Sequence, residues 1–451
     1  MRQTRGAEPP ATPAFANLYI VGLERSVRVL FTTFAASTHL YNMVPLAWAL
    51  RAAGHEVCVA SRPNIQADIL AAGLTAVSVG DEIDMVNDAK MLEQLPDDGT
   101  PYRMGYDIAE LRPEKLTLEY VRDTLGLYSS FISEYQANQA MLDDLVRFAR
   151  SWKPDLVIWD ALTYVGPVAA RVTGAAHARM LFGMDHFARM RELFHRLRAQ
   201  NPDGPQNDPM GDWLAGRLAP FGHEFGEEMV TGQLTIDPLP SWMRISGDLP
   251  VLPVRFVPYN GPSTIPDWLA EPPRAPRVCL TFGVTARNVG LHHMRIDELL
   301  QAVAGLDVEV IATLNAEQLE SVSSVPDNVH VHDFVPLNAL LPSCSAVVHH
   351  LGASTMGTAI VHGVPQLLVP GNLWGEPQMA RLLEEHGAAL FIAPEELSPE
   401  TLTSNLARLL DDPSFTEGAA QIQKEMLTRP SPGDVVSTLE QLVVRHATTG
   451  G

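Results

Sequence analysis

Apolar residues in this chain come in short runs separated by segments of helical length. Val27-Arg28-Val29-Leu30-Phe31-Thr32 is a nearly continuous run of strand length, which predicts a parallel strand covered on both faces. A loop with Ser37, Thr38 and His39 is expected next. Met43 to Ala53 then carries apolar residues at helical spacing and stops at Gly54, a natural helix end. His55 to Ala60 reads as a second strand, Asp155 to Trp159 as another, and Val165 to Thr173 as a helix stopping at Gly174. Strands alternating with helices predict a doubly wound α/β sheet. Residues 80–150 are less regular and richer in charge and Met, which predicts a variable region beside that sheet.

Prolines then crowd the stretch from 232 to 275, and few long helices survive such density. A second strand–helix alternation begins at Arg277-Val278-Cys279-Leu280-Thr281-Phe282-Gly283. It continues through Val308–Thr313, His330–Phe334, Ala346–His349 and Gln366–Val369. A last helix, Val435 to His446, is expected to pack back on the first domain. The reading is therefore an N-terminal extension (1–26), a first domain (27–235), a connection (236–275), a second domain (276–430) and a C-terminal helix (431–451). No internal repeat joins the halves; their likeness is architectural.

The length of 451 residues suits two domains of about 200 residues each. Hydrophobic residues make up 46%, enough for two cores. Acidic residues outnumber basic ones by 53 to 32, giving a net charge of −21. That field repels nucleic acid and anionic membranes, so an anionic substrate needs a local site. Cys58, Cys279 and Cys344 form no CxxC pair, which argues against a disulfide framework and for a reduced, cytoplasmic protein. No apolar run reaches the roughly 18 residues of a membrane span. A Gly-x-Gly-x-x-Gly turn is missing after the first strand, which counts against a nicotinamide enzyme. The His292-His293 pair has no carboxylate or Cys partner at ligand spacing, so no metal site is expected.

The densest chemical signal is Val347-Val348-His349-His350-Leu351-Gly352-Ala353-Ser354-Thr355-Met356-Gly357-Thr358. An apolar strand ends in two histidines, small residues follow, and a helix starts. Free N–H groups and partial positive charge at such a helix terminus bind phosphate. The plainer reading is a helix capped by Thr355, with the histidines as filler.

This run, with Asp333-Phe334-Val335-Pro336-Leu337, Leu340-Leu341-Pro342-Ser343-Cys344 and His362-Gly363-Val364-Pro365-Gln366, resembles the nucleotide-sugar signature of family 1 glycosyltransferases. It is most similar to the bacterial branch that attaches deoxysugars to macrolides and other polyketides, such as the desosaminyl- and mycaminosyl-type transferases. Shorter matches in order, including Pro45 to Val57 and Trp152 to Trp159, extend the resemblance over residues 27–445. It implies a GT-B fold, two Rossmann-like doubly wound domains facing across a cleft, with acceptor in the first and nucleotide sugar in the second. It further implies inverting, metal-independent transfer from a TDP-deoxysugar to a polyketide aglycone in antibiotic biosynthesis, with the TDP-sugar as substrate and no cofactor. A nucleotide-sugar 2-epimerase of the same fold, or a non-catalytic sugar-nucleotide binding protein, are the alternatives.

By the resemblance, His350 would touch the diphosphate, and Gly352, Ser354 and Thr355 would line its turn. Val335 would meet the base through its backbone, and Gly283 to Arg287 would lie beside the donor. His39, after the first strand, is the candidate general base, because imidazole exchanges protons near neutral pH. Asp160, ending another strand, is expected behind it to fix the tautomer; its plainer role is a helix cap near Val165. Two departures from the family pattern stand out. Leu351 and Ser354 replace glycines of the turn, and Gly375 stands where an acid normally holds sugar hydroxyls. Glu376 and Asn372 are the polar residues that could compensate. The segment Phe182 to Arg198 matches the region where the branch takes a cytochrome-like helper protein, and a homodimer also fits the class.

Overall fold

The computed structural model describes residues 26–84, 87–88, 105–282, 296–320, 322–371 and 374–449. Its strands form two parallel sheets. The first has seven: β1 (Arg28–Thr32), β2 (Glu56–Ser61), β3 (Thr75–Ser78), β4 (Leu156–Asp160), β5 (Ala176–Met180), β6 (Thr235–Asp237) and β7 (Val251–Pro253). Their order is β3-β2-β1-β4-β5-β6-β7. The second has six: β8 (Arg277–Thr281), β9 (Glu309–Thr313), β10 (Val329–His332), β11 (Ala346–His349), β12 (Gln366–Leu368) and β13 (Ala389–Phe391), in the order β10-β9-β8-β11-β12-β13.

The strand order in each sheet turns back on itself once, between β1 and β4 and between β8 and β11. The connections on the two sides of such a point leave in opposite directions, so a crevice opens at the carboxyl ends of the strands. Parallel strands need helical crossovers, and helices cover both faces of the first sheet: α1 (Ser37–Ala52), α2 (Leu118–Leu127), α3 (Gln139–Trp152), α4 (Val165–Thr173) and α5 (His186–Gln200). The second sheet carries, among others, α6 (Ala353–His362) and α7 (Glu376–Glu385). The last helix, α8 (Val436–Thr449), returns to the first sheet, where Leu439, Leu442 and Val443 join Val29, Phe31 and Ile158 in one core. Residues alternate across the sheet as period two demands. Val29 and Phe31 face that core, while Leu30 faces the other, with Val157 and Trp159.

Three expectations need correction. Ser37, Thr38 and His39 form the first turn of α1, not a loop. Their polar run hides the helix start, which has no side-chain cap, and Pro45 lies inside the helix. The region 80–150 is largely helical where described: α3 buries Met141, Leu142, Leu145, Val146 and Ala149 along one stripe and turns its charges outward. The proline-rich stretch is short on helix, yet it supplies β6 and β7 to the first sheet, with Ile236 opposite Leu252. It then crosses to the second domain, where Trp242 stacks on His386 with ring centroids 3.9 Å apart.

Candidate active site

β1 and β4 are neighbours, with Thr32 opposite Trp159, so the first turn of α1 and the end of β4 meet in the first crevice. There His39 Nδ1 lies 2.6 Å from Asp160 Oδ2. A carboxylate only accepts, so Nδ1 carries the proton and Nε2 is the nitrogen left for a substrate. Asp160 is 2% exposed and its Oδ1 accepts from the Leu162 amide at 2.9 Å. That bond serves the tight turn after β4. The N-cap of α4 is Tyr164, so Asp160 is not its cap. Phe34 meets the His39 ring edge-on at 5.1 Å and Phe182 lies 4.6 Å away. Phe182 is placed by a buried ion pair: Arg179 Nη1 donates to Asp185 Oδ1 at 3.0 Å, and the same oxygen accepts from Ala188 N to cap α5.

The second crevice holds the turn from β11 into α6. The cap of α6 is Gly352, without a side-chain cap bond. Thr355 is not the cap that the plainer reading made it: it sits inside the first turn with its side chain buried, and Ser354 is half-buried beside it. A Cβ on Gly352 would come within 3.0 Å of His350 Nε2, so glycine lets the His350 ring fold over the helix start. Leu351 takes φ +73, the left-handed geometry that glycine adopts without strain. Its side chain is 1% exposed and packs with Met184, Leu239 and Met243 at the domain junction, which offsets the strain.

His349, read as filler, is a clamp. Its Nδ1 accepts from Leu351 N at 3.1 Å and its Nε2 lies 2.9 Å from Gln366 Oε1. Both bonds fit one neutral tautomer, and burial pushes the imidazole down to about 3. The signal in the sequence was a polar pair, His349 and Gln366, within otherwise apolar strands.

Val335 follows β10 with its side chain in the core, which leaves its backbone to serve a ligand. Phe334 beside it, quoted in the motif without a role of its own, is 45% exposed, a large aromatic at the carboxyl edge of the sheet. Glu376 begins α7, where negative charge complements the helix dipole, and Gly375 is its cap at φ +73. Gly283, Arg287 and Asn372 lie outside the described residues. Among the described residues no group of His, Cys, Asp and Glu is placed to hold a metal ion. No helix among them is long and apolar enough to cross a membrane.

Two parallel sheets that share the order 3-2-1-4-5-6, the first extended by a seventh strand, and the likeness to solved glycosyltransferases define a glycosyltransferase of GT-B fold. The chain belongs to the erythromycin biosynthesis protein CIII-like family, matching its N-terminal domain over residues 48–283 and its C-terminal domain over 297–442. It is 48% identical over 430 residues to the aclacinomycin-T 2-deoxy-L-fucose transferase of Streptomyces galilaeus, covering 93% of this chain and 97% of that one. It is 44% identical over 421 residues to the 10-deoxymethynolide desosaminyltransferase of Streptomyces venezuelae, covering 93% and 98%. The crystal structure of glycosyltransferase VinC in complex with dTDP superposes with a TM-score of 0.84 at 47% identity, over 93% of this chain and all of that one. The family read from the motifs is thus borne out, and the epimerase and non-catalytic alternatives give way to a transferase.

Proposed function

We propose that this enzyme transfers a deoxysugar from a TDP-sugar to a hydroxyl of a polyketide aglycone, with inversion and without a metal, in cytoplasmic antibiotic biosynthesis. The observation that carries the mechanism is the 2.6 Å contact between His39 and Asp160 at the first switch point. The acceptor O–H donates to His39 Nε2. The oxygen attacks the anomeric carbon opposite the diphosphate, the carbon–oxygen bond to phosphate breaks, and the proton remains on His39. Asp160 stabilises the imidazolium so formed. The departing diphosphate keeps the electron pair of the broken bond, and His350 and the N–H groups at the start of α6 stabilise that charge, with Ser354 and Thr355 in the same turn. The base rests against Val335 backbone and the exposed Phe334 ring. Gly283, Arg287, Asn372 and Glu376 complete the donor side.

The relatives support the substrate classes: their names specify 10-deoxymethynolide, tylactone and aklavinone as acceptors. Incubation with TDP-deoxysugars and these three aglycones, read by TDP release and product mass, should show acceptor-dependent release. Its absence in every pairing overturns the proposal. A cytochrome-like helper would dock on the outer face of α5, where Glu192 and Arg196 are exposed while Phe187, Met190 and Phe194 are buried. Co-expression with such a helper should raise the rate, and equal rates remove that part. A homodimer is read by light scattering.

A further inference from the structure

Trp374 and Gly375, just ahead of α7, lie against the first domain. Trp374 takes φ +51 and Gly375 φ +73. A tryptophan in the left-handed region is strained and persists only if its surroundings hold it. The holder is on the other domain: His186 Nε2 donates to the Trp374 carbonyl at 3.2 Å. The indole sits edge-on to Phe182 at 5.9 Å and to Tyr128 at 5.8 Å, and tilted against Phe187 at 6.4 Å. Phe182 is the ring that lies 4.6 Å from His39. One aromatic surface therefore runs from the candidate base to the donor-side loop.

The next residue explains why no acid follows. A Cβ on Gly375 would collide with His186 Nε2 and come within 2.8 Å of its Cε1. While His186 stands there, no side chain fits at 375. Phe182 and Trp374 thus stand together between His39 and α7, and the position at 375 offers no carboxylate.

We propose that Trp374, fixed by His186, lines the subsite of the transferred sugar and makes the enzyme select donors whose sugar turns a deoxygenated C–H face to the ring. The inference rests on the transferase reading above. The anomeric carbon has to approach an acceptor oxygen that is itself within hydrogen-bond reach of His39, which brings the sugar to the Phe182–Trp374 surface. A hydroxyl turned to that surface exchanges water for two carbon rings, neither of which accepts a normal hydrogen bond. Pockets of this kind discriminate against an added hydroxyl by up to about 100-fold.

The test compares kcat/KM for acceptor-dependent TDP release from a TDP-2,6-dideoxyhexose and from TDP-glucose, with TDP affinity by calorimetry as the control for folding. The wild type should prefer the dideoxy donor by about 10- to 100-fold. Trp374→Ala should lose about tenfold of that preference, while Trp374→Phe keeps most of it. Gly375→Asp alone should be inactive, and the double variant H186A/G375D should turn over TDP-glucose faster than H186A does. If Trp374→Ala and Trp374→Phe both bind TDP and keep the full preference, the inference is overturned. A double variant no better than H186A, with TDP binding intact, overturns the steric account of Gly375. A wild type that releases TDP from neither donor brings down the transferase reading and this inference with it.

Discussion

The two strand-to-helix turns at the switch points are built alike and finished differently. After β1 the chain spends residues 33–36 before α1, and after β11 it spends residues 350–352 before α6. Neither helix has a side-chain cap at its start. In the first turn the charge-bearing group belongs to the protein: His39 stands on the helix, backed by a buried carboxylate and edged by Phe34 and Phe182. In the second, on the proposed reading, the charge belongs to the ligand, and the protein supplies small residues, a histidine folded over the helix start and another clamping from behind. Under the proposed function, one topology yields a fixed proton acceptor or an anion cradle, according to whether the first turn carries a bulky polar group or makes room for one.

The largest way to break this contrast is to remove the proton acceptor. His39→Ala should lower kcat by about 10²–10⁴-fold while TDP affinity, owned by the other turn, stays unchanged. Asp160→Asn should cost about 10²-fold or more, since the tautomer of His39 is then no longer fixed. A His39→Ala enzyme with normal kcat, or one that loses TDP binding in step with rate, would show that the two turns do not divide the work.

Acid sharpens the contrast next. The His39 side chain is 15% exposed, whereas His349 in the second turn is fully buried. His177, His186 and His349 are all pushed by burial from 6.5 down to about 3. The unfolded chain takes up protons at these imidazoles as pH falls through 6.5, and the folded chain does not until about 3. The stability they permit is therefore full above 6.5 and is lost progressively below it. Each contributes about 1.4 kcal/mol of loss per pH unit, so the three together remove about 4 kcal/mol by pH 5.5. Denaturant midpoints between pH 7.5 and 5.5 measure this. In His349→Gln the slope should fall by about a third, and an unchanged slope would mean that His349 takes no part.

The strands at the two switch points were legible because each is a contiguous apolar run: β1, β4, β8 and β11 all stand out by pattern alone. The start of α1 was not, because Ser37-Thr38-His39 reads as loop until Thr32 and the crossover place it. α3 was hidden by the charges on its outward face. His39 and Asp160 lie 121 residues apart, and only topology together with family likeness joins them. His186 and Trp374 lie 188 residues apart on different domains, and no local pattern marks that contact. Leu351 was legible as a departure but not in its consequence, because a side chain at a left-handed position can be retained when it finds a core to join, and that core includes residues 184, 239 and 243, far from it in sequence.

The smallest expected effect tests that last point. Leu351→Ala and Leu351→Gly both empty the same buried site, which costs about 2–5 kcal/mol for a leucine. They differ in the backbone. Glycine relieves the left-handed strain, about 1–2 kcal/mol, and makes the unfolded chain looser by about 0.4–1 kcal/mol. The balance leaves L351G more stable than L351A by about 0.5–1 kcal/mol, the reverse of their order at an ordinary helical or extended position. Denaturant midpoints of the two variants at one pH resolve a difference of that size. If L351A proves the more stable, residue 351 is not held at positive φ, and the phosphate turn of this protein has a different shape from the glycine turn it replaces.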